Sequence, residues 1–134
     1  MDKLFVKIKI RDLLDNSLWH HKQNSDFCKT VIKDAEEKLS HKCIENYSLI
    51  ETNDGYVYLG DVSNGQREGY GFEYNSEGML YMGEWHESKY HGRGYLFSSN
   101  QCFYGVFKNN FYCDNNIITG GGVHMWAPPK KDGH

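Results

Sequence analysis

The sequence predicts a mainly β fold with a helical N-terminal segment, its strands forming a meander of antiparallel hairpins. Two observations carry this reading. The first is that three segments follow one template. Tyr58-Leu59-Gly60-Asp61-Val62 leads to Gly65 and then to Gly69-Tyr70-Gly71. Tyr81-Met82-Gly83-Glu84-Trp85 leads to Ser88 and Gly92-Arg93-Gly94. Phe103-Tyr104-Gly105-Val106-Phe107 leads to Asn110 and carries no glycine pair. Tyr58 to Tyr81 is 23 residues and Tyr81 to Phe103 is 22. A fixed period in this range marks small supersecondary units that stack on their neighbours. The second is that the leading aromatic, the glycine two residues on and the apolar residue two further on fall on one face of a strand, because side chains alternate with period 2. Gly60 and Gly83 thus sit between large groups on one face, which is costly unless something uses the missing side chain. An aromatic ring from the adjacent strand, laid across the bare backbone, is the expected user.

The elements follow in order. Residues 56–63 read as a strand, Asn64-Gly65 through Gly69 as a turn and 70–75 as the return strand. Ser76-Glu77-Gly78 is a short hairpin turn, 79–86 pair next, and Glu87 to Gly92 turn the chain again. Residues 93–98 return, Ser98-Ser99-Asn100 turn, and 102–108 make the last clear strand. Gly55, Gly78 and Asn100 each stand three residues before a leading aromatic, which places the same tight turn before every repeat.

The first fifty residues obey other rules. Val6, Ile8 and Ile10 alternate with Lys7 and Lys9, which predicts a half-buried strand. Arg11 to Trp19 reads as a short helix or an irregular turn. Ser25 or Asp26 caps a helix running to about Cys43. Its apolar stripe is Cys28, Val31, Ile32, Ala35, Leu39 and Cys43, with Lys33/Glu37 and Asp34/Lys38 four apart on the wet side. The stripe must cover one face or one open end of the sheet, and a helix over the first repeat would protect its edge. The organisation expected is an N-terminal α/β cap over 1–54, a hairpin sheet over 55–113 and an extended C-terminal tail over 114–134.

The template resembles the MORN repeat, whose core reads aromatic-x-Gly-x-aromatic, a small residue, then Gly-x-Gly. The leading aromatics are Tyr58, Tyr81 and Phe103, and the first glycines Gly60, Gly83 and Gly105. The second aromatic position holds Trp85 and Phe107, with Val62 departing from the pattern. The glycine pairs are Gly69/Gly71 and Gly92/Gly94. The resemblance covers about residues 55–113 and implies a single-layer, elongated sheet. It also implies a non-catalytic scaffold or adaptor in a cytoskeletal, ciliary or membrane-associated assembly. Phosphoinositide binding is an alternative that the resemblance implies, and an antitoxin-like or immunity role a second. Membrane attraction needs a cationic face. Residues 56–113 carry four cations, Arg67, Lys89, Arg93 and Lys108, against six carboxylates, a net charge of −2. The scaffold reading is therefore favoured.

Composition narrows the classes further. The chain has 134 residues and a formal net charge of −3, so nucleic-acid binding has no compositional support. No apolar run reaches bilayer-spanning length. The stretch Leu4-Phe5-Val6, interrupted by Lys7 and Lys9, is too short for a secretory signal. A cytoplasmic, non-secreted protein is expected. Cys28, Cys43, Cys102 and Cys113 form no CxxC pair and read as reduced thiols. His41, Cys43 and Cys28 match no familiar zinc spacing, and no cofactor is expected. No nucleophile–base constellation, phosphate loop or dinucleotide fingerprint occurs. Glu84 with Glu87, or Asp61 with Glu73, would face water on an open sheet. The chain is read as a non-enzyme.

The expected partner surface lies at the C-terminal end. Tyr104, Phe107, Phe111 and Tyr112 crowd the incomplete third repeat, and Met125 and Trp126 follow a Gly120-Gly121-Gly122 break. Aromatics beside an open strand edge have the composition of an interface centre. Docking to a different protein is favoured there over homodimer formation.

Overall fold

The computed structural model describes residues 1–99, 101–114 and 117–119. Three helices, α1 (Lys3–Trp19), α2 (Ser25–Lys38) and α3 (His41–Asn46), precede an open antiparallel sheet. Its strands are β1 (Ser48–Glu51), β2 (Tyr56–Ser63), β3 (Gln66–Asn75), β4 (Leu80–His86), β5 (Lys89–Ser98), β6 (Gln101–Lys108) and β7 (Phe111–Tyr112), paired in chain order. A further strand, β8 (Ile117–Thr119), also pairs with β6. The fold is mostly strand with helices at the N-terminus, and the sheet is a meander that does not close.

Two-residue turns join the repeat hairpins. Asn64-Gly65, Glu87-Ser88 and Asn109-Asn110 all have positive φ at both residues, the conformation of a type I′ turn that matches strand twist. The return strands therefore begin at Gln66 and Lys89, and Gly69 and Gly92 lie inside strands rather than in turns. Both have positive φ and sit at the register shifts between Gly60 and Val62 and between Gly83 and Trp85, as bulge glycines do. At the turns that precede the repeats, Gly55 and Gly78 have positive φ, as does Ser99; Asn100 lies outside the described residues.

The register lines up five glycines. Gly60 faces Gly71, Gly71 faces Gly83, Gly83 faces Gly94 and Gly94 faces Gly105. A Cβ on Gly83 would stand 2.5 Å from Gly94 Cα, 2.6 Å from the Arg93 carbonyl oxygen and 2.8 Å from Tyr81 Oη. Gly94 and Gly71 are covered by the rings of Tyr81 and Tyr58, each from the adjacent strand. The ring expected over Gly60 and Gly83 belongs to their own strand and reaches them only with its hydroxyl; what presses on these two glycines is the neighbouring backbone.

The helices lie on one face of the sheet. Rows Leu59–Phe72–Met82–Tyr95–Tyr104 and Val57–Tyr74–Leu80–Phe97–Cys102 run across it. They pack with Val6, Ile10, Leu14 and Leu18 of α1, with Val31 and Ala35 of α2, and with Leu39 and Tyr47. The opposite face buries Tyr58, Tyr81, Trp85, Tyr90, Leu96, Phe103 and Phe107 against one another. The sheet is a single layer capped on one face by the N-terminal helices, as the repeats and the apolar stripe of α2 imply.

Four N-terminal expectations change. Residues 6–10 are helical, not a strand. Asp2 caps α1 by accepting from Phe5 N at 2.8 Å, and Val6, Ile10, Leu14 and Leu18 continue a buried stripe that five residues of alternation concealed. The second helix ends at Lys38 and a new one starts at His41, where Ser40 Oγ accepts from Cys43 N at 3.3 Å. Ile32 faces outward. The edge of the first repeat is covered by β1, whose Leu49 and Ile50 pair with Leu59 and Tyr58, and not by a helix.

His21 is buried between Phe27 and Phe97, and both its ring nitrogens lack a partner among the described residues. Burial, then the nearby His20, pulls its pKa below the ordinary 6.5. Folding therefore favours the neutral ring. Stability is full above pH 6.5 and falls as pH drops through that value toward the folded pKa. Thermal melts of the wild type should show this acid loss, and His21→Leu should flatten it; an unchanged pH profile in the variant would refute the assignment.

Gly83→Val should lower stability by about 1–3 kcal/mol, because the backbone it meets cannot yield as a side chain can. Gly65→Asn should be close to neutral in the same denaturant titrations. A Cβ at Gly65 meets nothing within 4 Å, and Asn110 already adopts the matching conformation.

Candidate functional site

A groove of about 310 Å³ opens between α2 and the sheet. Its floor is the backbone of Gly83, Gly94 and Gly105, reached where the glycine row turns its missing side chains to the other face. Met82, Tyr95 and Tyr104 form one wall and Tyr70, Glu84 and Arg93 the other. These positions alternate with the glycines along each strand, so parity sends them to the helix-covered side. Asp34, Glu37 and Lys38 overhang from α2.

Local contacts hold this lining in place. Tyr95 Oη donates to Asp34 Oδ2 at 2.8 Å, and burial first, then this bond, pushes the phenol well above its usual value. Lys38 Nζ stands 4.8 Å from the centre of the Tyr70 ring. Phe27 of α2 lies 5.0 Å from the Tyr104 ring. Glu84 Oε1 accepts from Arg93 N at 2.6 Å beside Gly92. The equivalent Asp61 Oδ2 accepts from Tyr70 N at 2.9 Å beside Gly69. Both acids thus serve the strand bulges, and in the third repeat Asp114 Oδ2 takes Val106 N at 2.7 Å beside Gly105.

The repeat-defining residues are brought together as one ladder. Tyr58 Oη donates to the Asp61 carbonyl at 2.6 Å, and Tyr81 Oη to the Glu84 carbonyl at 2.7 Å. Trp85 Nε1 donates to the Gly71 carbonyl at 3.1 Å. Tyr58 and Tyr81 flank Trp85 edge-on, and Tyr81 stacks on Tyr90 at 3.9 Å. Each later repeat is tied to the one before it. Arg67 N donates to Ser88 Oγ at 3.1 Å, and Tyr90 N donates to Asn110 Oδ1 at 2.8 Å.

The expected partner residues separate. Phe107 is buried among Tyr81, Tyr90 and Tyr112, so it offers no surface at an open edge. Tyr104 lies on the opposite face, in the groove. Tyr112 is half-buried, and its hydroxyl donates to the Tyr104 carbonyl at 2.8 Å. Phe111 is 51% exposed. Met125, Trp126 and the triple glycine lie outside the described residues. Tyr70, Tyr95, Arg93, Asp34, Glu37 and Lys38 were not expected as partner-surface residues; Asp34, Glu37 and Lys38 were read only as wet-side helix pairs, and here they overhang the groove. The signal for three of them was present, since Tyr70, Arg93 and Tyr95 flank the Gly-x-Gly glycines and must point away from the Tyr58–Tyr81 face.

Of the carboxylates expected to face water, Glu84 and Glu87 are exposed and Asp61 is half-buried, while Glu73 is not exposed at all. Glu73 is fully buried, salt-bridged to Arg67 and taking Tyr90 Oη at 2.9 Å. The Arg67 guanidinium lies 4.7 Å from the Tyr58 ring centre and 5.2 Å from that of Trp85. The aromatic face therefore holds an internal cation. Among the described residues no group of three or more His, Cys, Asp or Glu is placed to hold a metal ion, and no helix is long and apolar enough to cross a membrane. Comparison with protein-family models and with curated proteins finds no match.

Arg67→Leu strands a buried carboxylate and should cost about 3–5 kcal/mol, with Glu73→Leu added to it recovering much of the loss. Urea titrations of the single and double variants check this; an innocuous Arg67→Leu would mean that Glu73 is protonated or solvated.

Proposed function

We propose that the chain is a short MORN-type array acting as a non-catalytic scaffold or adaptor subunit, binding a protein partner in a larger assembly. The groove over the glycine row carries this reading. It combines a bare, flat backbone floor, three tyrosine rings and fixed charges of both signs. Such a trough fits an elongated peptide segment, with an apolar anchor against Met82 and the rings and polar groups toward Arg93, Lys38, Asp34 and Glu37. Tyrosine supplies a large contact area at low entropic cost. A cytoskeletal or ciliary setting rests on the repeat resemblance alone.

Phosphoinositide binding fits less well. Lys38 and Arg93 share the groove with three carboxylates, Asp34, Glu37 and Glu84, and Lys38 is already engaged with Tyr70.

Peptides selected on the wild-type protein from a displayed library should lose about tenfold or more of their affinity on Tyr104→Ala or Arg93→Glu. Circular dichroism should be unchanged in both variants. Sedimentation with phosphoinositide vesicles at physiological salt should show little binding. Peptides indifferent to both substitutions would place the partner site elsewhere, and vesicle binding abolished by Arg93→Glu would favour the lipid reading.

A further inference from the structure

The lining of the groove selects the charge of what enters it. Helix α2 contributes two carboxylates, Asp34 and Glu37, against one cation, Lys38, and the sheet contributes Glu84 of β4 beside Arg93 of β5. Carboxylates are thus in excess. Lys38 shows how a cation sits here. Its Nζ stands 4.8 Å from the centre of the Tyr70 ring, where the face of an aromatic ring attracts positive charge. The other two rings, Tyr95 and Tyr104, lie side by side on adjacent strands, 6.4 Å apart at an interplanar angle of 20°. Among the described residues no cation stands over either of them. Asp34 belongs to this end of the groove, since its Oδ2 accepts from Tyr95 Oη at 2.8 Å. A carboxylate accepts several donors, so Asp34 keeps the capacity for another. Glu37, one turn further along α2, is exposed, and its carboxylate has no partner among the described residues.

We propose, resting on the reading of this groove as a peptide site, that the segment it takes presents a lysine or arginine side chain, laid over the Tyr95 and Tyr104 rings with its charge at Asp34 and Glu37. The apolar stem of such a side chain covers the rings and the backbone of Gly94 and Gly105, while its head meets the carboxylates. An acidic residue in the same place would be repelled by Asp34 and Glu37. An uncharged one would take Asp34 from water without a counter-charge. Arg93 has a different task. It can only donate, and an extended segment brings main-chain carbonyls that need donors. Glu84 beside it offsets its charge, so Arg93 does not cancel the acidic lip of α2.

Peptides selected on the full chain from a displayed library, and kept where Tyr104→Ala weakens them, should share a lysine or arginine at one position. Norleucine at that position keeps the stem and removes the charge, and it should lower affinity about tenfold or more. On a Glu37→Lys chain the preference should invert, a peptide with glutamate at that position binding better than its basic parent. Glu37 is exposed, so this variant keeps the fold, which circular dichroism checks. Lys38→Met removes the cation already in the groove and should tighten the basic peptides. Peptides that depend on Tyr104 but share no cation, or that are indifferent to both norleucine and Glu37→Lys, would overturn this inference and leave the groove a peptide site. Peptides that are all indifferent to Tyr104→Ala would overturn both.

Discussion

The close approach of backbones along Gly60, Gly71, Gly83, Gly94 and Gly105 is the constraint on which the remaining structure depends. Each glycine sits where a Cβ would strike a neighbouring strand, a tyrosine ring or a carboxylate. Because the space is bare, Tyr58 and Tyr81 can lie across it and bond the Asp61 and Glu84 carbonyls. Their rings then form the walls against which Trp85, Tyr90 and Phe107 pack. A strand glycine ordinarily weakens a sheet. Here the ring burial that it permits returns roughly 1.5–3 kcal/mol for each large side chain taken from water.

The same row has a second consequence on the opposite face. Residues flanking a glycine point away from the tyrosine ladder, so Tyr70, Arg93, Tyr95 and Tyr104 stand on the helix side with bare backbone between them. The groove is thus the reverse of the aromatic core. Asp61, Glu84 and Asp114 close the bulges at Gly69 and Gly92 and the positive-φ backbone at Gly105 by accepting from Tyr70 N, Arg93 N and Val106 N. The missing glycine pair of the third repeat is made good by Asp114 and by Asn110, whose side chain and backbone both bond Tyr90.

The helices give the array what a short repeat protein lacks. A few hairpins with one dry face are marginal alone. Here α1 and α2 cover the rows Leu59–Tyr104 and Val57–Cys102, and β1 covers one sheet edge. The coverage stops short of the glycine row on one side, leaving the groove, and it leaves the outer face of α1 itself apolar. The open surface that results on the sheet is concave and tyrosine-lined.

The repeat was legible because its signal is local: glycine, aromatic and turn residues recur at a fixed spacing, and period 2 assigns them to one face. Strand order and the hairpins followed from that, and the second helix from its apolar stripe; neither Ser25 nor Asp26 caps it, since both lie inside the helix and Asn24 holds the N-cap position without a side-chain bond. The groove was not legible, because Asp34, Glu37 and Lys38 come from α2, Glu84 from β4 and the tyrosines from β3, β5 and β6, and only packing joins them. The N-terminal helix was hidden by its own composition. With apolar residues at 4, 5, 6, 8 and 10, both periods fit a short window, and what decides between them is the sheet that buries Val6, Ile10 and Leu14. The fate of Phe107 was decided the same way. An aromatic near a strand edge is interface or core according to what closes over it, and in this fold Tyr81, Tyr90 and Tyr112 do. Sequence determined the ladder of glycines and rings; the tertiary structure decided which faces it left open, since exposure depends on residues distant in the chain.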